Sequence, residues 1–174
     1  DLAWDVVASS EEEATKNLLH CAETNWATSG PKVKKFEDQW GSLFKYKYNK
    51  AVSSGTDAVM NLISSLYSLG AERGDEVIVP ALSFIATSNA VLQAGFTPVF
   101  LKVIKKTGWT QISDIAKKHS LYLFEDACEA HGAKYNDEFI GSFGHGAAFS
   151  FYVAHLICCG EGGMVSTNFE DIAD

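Results

Sequence analysis

From Lys50 onward, short apolar runs bounded by turn residues alternate with segments of helical apolar spacing. The extended runs are Ala51-Val52, Glu76 to Pro80, Thr97 to Val103, Leu121 to Asp126, Ala147 to Tyr152 and Gly163 to Thr167. Between them lie helical patterns over Thr56 to Leu69, Phe84 to Ala94 and Thr110 to His119, and another begins at Phe169. Strands that alternate with helices cannot pair as hairpins; each helix carries the chain back across a sheet so that the next strand runs parallel. The pattern predicts an α/β fold with a parallel, doubly wound sheet.

The first thirty residues read differently. Ser9-Ser10-Glu11-Glu12-Glu13 has the Ser-x-x-Glu capping pattern and opens a helix reaching to about Trp26. Thr28-Ser-Gly30-Pro31 interrupts it, and Pro31 suits the first position of a second helix. There Val33, Phe36, Trp40, Leu43 and Phe44 recur at three- and four-residue spacing, an apolar stripe that must pack on something. At 174 residues, 47% hydrophobic and 21% charged, the chain is long and apolar enough for one α/β domain with a substantial core. A net charge of −8, with no basic cluster beyond Lys32, Lys34 and Lys35, argues against nucleic acid or an anionic membrane as partner. No apolar run spans a bilayer, and Asp1-Leu-Ala-Trp-Asp-Val lacks the basic start of a signal peptide, so a cytoplasmic location is expected. Cys21, Cys128, Cys158 and Cys159 show no metal or disulfide spacing and read as reduced structural thiols.

Several residues sit where an open α/β sheet places its ligands. Ser53-Ser54-Gly55-Thr56-Asp57 joins a strand to the N-terminus of a helix, where free N–H groups and the helix dipole favour an anion and Gly55 permits close approach. A plain serine or threonine helix cap explains the same pattern. Asp126 falls at the carboxyl end of a strand, the ligand-binding end; a turn or cap residue is the alternative. Phe84 follows the strand ending at Pro80 and reads equally as a core aromatic. His155, five residues after Ser150, carries an imidazole suited to proton transfer near neutral pH.

Two runs, Phe124-Glu-Asp126-Ala-Cys-Glu-Ala-His-Gly132 and Ser150-Phe-Tyr-Val-Ala-His155, resemble the nucleotide-sugar aminotransferase and dehydratase (DegT-type) family of fold-type I enzymes, which use pyridoxal 5'-phosphate (PLP). Ser54-Gly55-Thr56-Asp57-Ala58, Gly74 to Pro80 and Ala94 to Phe100 are also family-like. The resemblance implies a three-layer, mainly parallel sheet: the PLP-dependent transferase large domain, here incomplete. It also implies that Ser54, Gly55, Thr56 and Ser150 hold the cofactor phosphate, Phe84 stacks on the pyridine ring, Asp126 pairs with the ring nitrogen and Glu129 contacts the cofactor hydroxyl. Where family aminotransferases carry the lysine that bonds to the cofactor, this chain has His155, and no lysine follows Lys134. This resembles the branch of GDP- and CDP-linked 4-keto-6-deoxy-sugar 3-dehydratases, which hold pyridoxamine 5'-phosphate (PMP) noncovalently and use this histidine as acid and base. The implied partners are a nucleotide-linked 4-keto sugar and a second copy in a homodimer. An aminotransferase homologue without its lysine, or a noncatalytic binding subunit, are the other readings.

Against the family pattern, Val153 replaces a proline and His145 an aspartate, and the cysteines do not fit the iron–sulfur site of the CDP-type enzymes. The resemblance also implies an N-terminal helical arm over 1–30 and a large domain over 31–174. That domain lacks one helix–strand segment near 103–108 and a C-terminal small domain. Without that strand, the strands matching Glu76 to Pro80 and Leu121 to Asp126 must either close up or leave a gap, and a gap would expose Val77 to Val79.

Overall fold

The computed structural model describes residues 11–24, 29–102 and 109–173. In chain order the elements are α1 (Glu11–Thr24), α2 (Pro31–Phe44), β1 (Tyr48–Val52), α3 (Gly55–Ser64) with a 3₁₀ turn (Ser65–Tyr67), β2 (Glu76–Pro80), α4 (Ile85–Gln93), β3 (Thr97–Leu101), α5 (Trp109–Lys118), β4 (Phe124–Asp126), β5 (Lys134–Tyr135), β6 (Glu138–Phe139), β7 (Gly146–Ser150), β8 (Gly163–Thr167) and α6 (Glu170–Ala173). The fold is α/β, as the alternation requires. Ser9, Ser10 and Trp26, on which the expected bounds of the first helix rest, lie outside the described residues.

A four-stranded sheet has the order β1-β8-β7-β4. Strands β4 and β7 pair parallel, whereas β8 runs antiparallel to both of its neighbours. Because β8 reverses, β1 and β7 end on the same side, so the turn after Val52 and the residues after Ser150 meet there. Along β7 the two faces alternate between two cores. Ala148 joins Ala58, Val59, Leu62 and Ile63 of α3 and Val91 of α4 on one face. On the other, Ala147 and Phe149 join Trp40 and Phe44 of α2. Helix, sheet and helix form the three layers.

Helix α2 begins at Pro31 as its sequence predicts, but its buried stripe differs from the expected one. Trp40 and Phe44 are buried, while Leu43 and Phe36 are exposed and Glu37 and Gly41 take their place inside. Burial of Glu37 is compensated: its Oε1 accepts the Ala51 N–H at 3.0 Å and lies 3.7 Å from the Lys50 ammonium. Trp40 donates its Nε1–H to Ser166 Oγ at 3.1 Å, and that hydroxyl donates to Asn49 Oδ1 at 2.9 Å, tying α2 to β8 and β1.

Strand β4 is shorter than the predicted run from Leu121. Leu123 has both backbone groups turned to His145 instead: its N–H donates to His145 Nδ1 at 3.0 Å and its carbonyl accepts the His145 N–H at 2.6 Å. The β5–β6 hairpin was not expected. Asn136 and Asp137 both adopt positive φ (50° and 64°), as a two-residue hairpin turn demands, and an Asn-Asp pair is a readable signal for it.

The largest departure from a single doubly wound sheet lies at β2 and β3. They pair parallel with each other and form a separate two-stranded sheet. Of the two, β2 is inboard. Val77 and Val79 reach the same core as Phe124 of β4, whereas Val99, Phe100 and Leu101 of β3 are exposed. The strands therefore stay apart instead of closing up. Exposure of Val77 to Val79 is found at Ile78 alone, because Val79 is buried and Val77 partly so against α3 and α4.

Candidate cofactor site

Ser54 caps α3: its backbone is extended and its Oγ accepts the Asp57 N–H at 3.1 Å. Ser53 Oγ donates to the Asp57 carboxylate, and the Ala58 N–H returns to the Ser54 carbonyl at 3.0 Å. Among the described residues the N–H groups of Gly55 and Thr56 meet no protein acceptor, and they project from the positive end of the helix. A Cβ on Gly55 would collide with Cβ of Ser150, with its Oγ at 2.8 Å and with Cys128 Sγ at 3.0 Å. Glycine is needed here for space, because α3 abuts the ends of β4 and β7.

Ser150, the last residue of β7, is buried, and its Oγ accepts the Tyr152 N–H at 3.3 Å. Its carbonyl faces His155 Nδ1 at 3.3 Å. A carbonyl can only accept, so Nδ1 is the donor in this contact, which leaves Nε2 as the ring nitrogen free to exchange a proton. Opposite Nε2, at 3.6 Å, lies Glu129 Oε1 on the loop after β4, itself exposed. Tyr152 packs edge-on against the His155 ring, 5.7 Å between centroids.

Successive residues of β4 point to opposite sides. Glu125 is buried and accepts three backbone N–H groups, from Gly141 at 2.6 Å, Phe143 at 2.8 Å and Gly144 at 2.7 Å, pinning the loop before β7. Burial pushes its carboxyl above the ordinary range, and those three donors pull the other way. Asp126 is exposed at the strand end. Its Oδ2 accepts the Thr87 hydroxyl at 2.6 Å and its Oδ1 the Cys128 N–H at 3.4 Å. The Cys128 thiol is pushed up by burial and by that carboxylate, so it stays protonated. Phe84, at the N-cap of α4, is 75% exposed and belongs to neither core.

Sequence reasoning missed three neighbours of this site. Thr87 binds Asp126, Cys128 walls the Gly55 turn, and His131 lies beneath. His131 is only 8% exposed, stacks on Phe151 at 5.8 Å and 27°, and has neither ring nitrogen hydrogen-bonded. Burial, then the neighbouring His155, hold its imidazole below the ordinary range, hence neutral. The Ala-His pair was visible in the sequence, but nothing local to it signals burial.

The structure thus gathers Ser54, Gly55, Thr56, Asp126, Glu129, Ser150 and His155 at one end of the four-stranded sheet, with Phe84 joined through the hydrogen bonds of α4. An anion can take the free N–H groups of Gly55 and Thr56, a protonated ring nitrogen can take Asp126, and His155 Nε2 can accept a proton. These chemistries match a phosphorylated pyridine. Among the described residues no group of three or more His, Cys, Asp or Glu side chains is placed to hold a metal ion.

Comparison with known proteins places the chain in a family. The chain is 35% identical over 184 residues to the GDP-perosamine synthase of Escherichia coli O157:H7, covering 88% of this chain and 50% of that protein. It is 34% identical to the dTDP-4-dehydro-2,6-dideoxy-D-glucose 3-dehydratase of Saccharopolyspora spinosa, covering 94% and 43%. Among solved structures, the Escherichia coli GDP-4-keto-6-deoxy-D-mannose-3-dehydratase with bound hydrated PLP superposes with a TM-score of 0.81 at 28% identity, covering 96% of this chain and 52% of that one. The chain spans about half the length of the curated relatives it matches. The alignment to the perosamine synthase runs over more positions than this chain has residues, so that relative carries residues this chain lacks. The family profile matches residues 8–114 and 108–174, which together take in nearly the whole sequence: the chain belongs to the DegT/DnrJ/EryC1/StrS aminotransferase family.

Proposed function

We propose that this chain forms the cofactor-binding part of a PMP-dependent nucleotide-sugar 3-dehydratase, its substrate a nucleotide-linked 4-keto sugar. The observation that carries the reading is His155. By the resemblance it takes the place of the Schiff-base lysine of the family's aminotransferases, and its Nδ1 contact with the Ser150 carbonyl turns Nε2 toward Glu129. In this reading Gly55 and Thr56 bind the phosphate through backbone N–H groups and Ser150 walls it. Phe84, exposed as a ring-stacking residue must be, would stack on the pyridine. Asp126 would hold a proton on the ring nitrogen, and Glu129 would contact the cofactor hydroxyl. When bound, PMP supplies an amine for the sugar keto group and a ring that accepts electron density. His155 Nε2 takes the proton released beside that ring and returns it to the departing C3 oxygen. The Glu129 carboxylate faces the charge that appears on the imidazole in between.

The domain reading goes with it: an N-terminal helical arm over 1–30, then a large domain over 31–174 that lacks one helix–strand segment near 103–108. The second domain and the second subunit of a homodimer complete the whole enzyme, which acts in the cytoplasm. The match to perosamine synthases favours a second reading, an aminotransferase homologue that has lost its lysine.

Trapping tests the role given to His155. After incubation with PLP and reduction by borohydride, peptide mass spectrometry is expected to find no cofactor on a site peptide, while PMP binds exchangeably and Asp126→Ala weakens it. A cofactor covalently fixed to a lysine near Asp126 would overturn the dehydratase reading. Absence of PMP binding would leave only a noncatalytic subunit.

A further inference from the structure

Strands β2 and β4 share no hydrogen-bond ladder, yet the proposed site draws Phe84 from the β2 side and Asp126 from β4. Their spacing must be set by something other than the sheet. Thr87, buried in the first turn of α4, touches both sides. Its N–H donates to the Phe84 carbonyl at 3.1 Å, and its hydroxyl donates to Asp126 Oδ2 at 2.6 Å. A threonine hydroxyl has one proton, and the carboxylate takes it. The 2.8 Å contact between Ser83 Oγ and Thr87 Oγ1 must therefore run from Ser83 to Thr87. The chain of donors is Ser83 to Thr87 to Asp126, each bond polarising the next. It leaves Oδ1, to which the Cys128 N–H donates at a long 3.4 Å, as the oxygen for a ring nitrogen.

We propose that Thr87 is a positioning residue that fixes the Asp126 carboxylate relative to Phe84 across the break between the two sheets. The inference rests on the reading of Asp126 as the ring-nitrogen partner. It concerns the pyridine half of the ligand alone, since the anion-binding turn at Gly55 belongs to α3.

The test uses the full chain with two probes, PMP and inorganic phosphate, each titrated by calorimetry, and far-UV circular dichroism to verify folding. Thr87→Val, which keeps the shape and removes the hydroxyl, is expected to weaken PMP about tenfold, the scale of one hydrogen bond to a charged group. Phosphate affinity should not change, and Thr87→Ser should restore PMP binding. Unaltered PMP affinity in Thr87→Val, or an equal loss for phosphate, would overturn the proposal. Should Thr87→Val fold poorly, Ser83→Ala carries the same test at the next hydroxyl: a selective loss of roughly twofold supports the donor chain, and unchanged PMP affinity overturns it. Asp126→Ala separates the two levels. If it leaves PMP binding intact, the reading of Asp126 is wrong; if it weakens PMP while Thr87→Val does not, only the role of Thr87 is wrong.

Discussion

His131 shows what a single buried side chain costs this fold. It is enclosed by Trp40, Phe149 and Phe151, with His155 and the Ser150 backbone as its polar neighbours, and neither ring nitrogen finds a hydrogen bond. The imidazole stays neutral because its folded pKa is depressed. Its contribution to stability is thus full above the unfolded value, about 6.5, and is lost as pH falls through the folded value, where only the unfolded chain binds the proton readily. His131→Phe should remove that part of the acid sensitivity. At neutral pH it should be neutral or stabilising by about 1 kcal/mol, because an unsatisfied polar group gives way to a ring among rings. Urea midpoints measured at pH 7 and pH 5 decide this; a variant that loses stability as steeply as the parent on acidification would refute the assignment. Neither His131 nor Thr87 advertises its position in the sequence. The Ala-His-Gly run marks a turn, and the threonine of an ordinary helical turn gains meaning only from Asp126, thirty-nine residues on.

Elements were far more legible than partners. Pro31 to Phe44, Glu76 to Pro80 and Gly163 to Thr167 appear at the expected bounds, because a proline start or a β-branched run between polar turns is a local signal. Errors arise where tertiary contacts override that signal: β4 loses its first half to His145, and Glu37 displaces Leu43 from the buried face of α2 because the Ala51 N–H needs its carboxylate. The β2–β3 pair is the element with least support. It is two strands of five residues, one face is exposed at Ile78 and Val99, and α4 supplies most of its cover. Two-stranded sheets are marginal alone. Native-state hydrogen exchange should find the β2–β3 amides opening with a free energy lower by about 2 kcal/mol or more than those of β7–β8, as a separate unit. Equal protection across β1, β2, β3, β4, β7 and β8 would show that the helices alone weld these two sheets together.

At the scale of the whole molecule, the motif residues lie on two bodies of sheet, and α3 and α4 bridge them. The perosamine synthase carries residues that this chain lacks, and the two stretches matched by the family overlap at 108–114, after β3 and before β4. A parallel strand supplied there would have an unpaired edge on each side, β2 on one and β4 on the other, and neighbouring strands stand about 4.8 Å apart. Such a strand would satisfy backbone groups on both edges and extend the core over Ile78, so its effect should be cooperative rather than additive. Grafting the residues that the perosamine synthase carries in excess, taken as the helix–strand segment of the proposed domain reading, between Leu101 and Trp109 is therefore expected to raise protection of β2–β3 to the level of β7–β8. Unfolding should then merge into one transition with a larger denaturant slope, because more surface is exposed in a single step. In the graft, Thr87→Val should also matter less for PMP affinity, since the inserted ladder would take over the spacing between Phe84 and Asp126. Two separate transitions in the grafted protein would mean that the gap between the sheets is not a strand-shaped one, and that Thr87 spans a distance this chain has settled by other means.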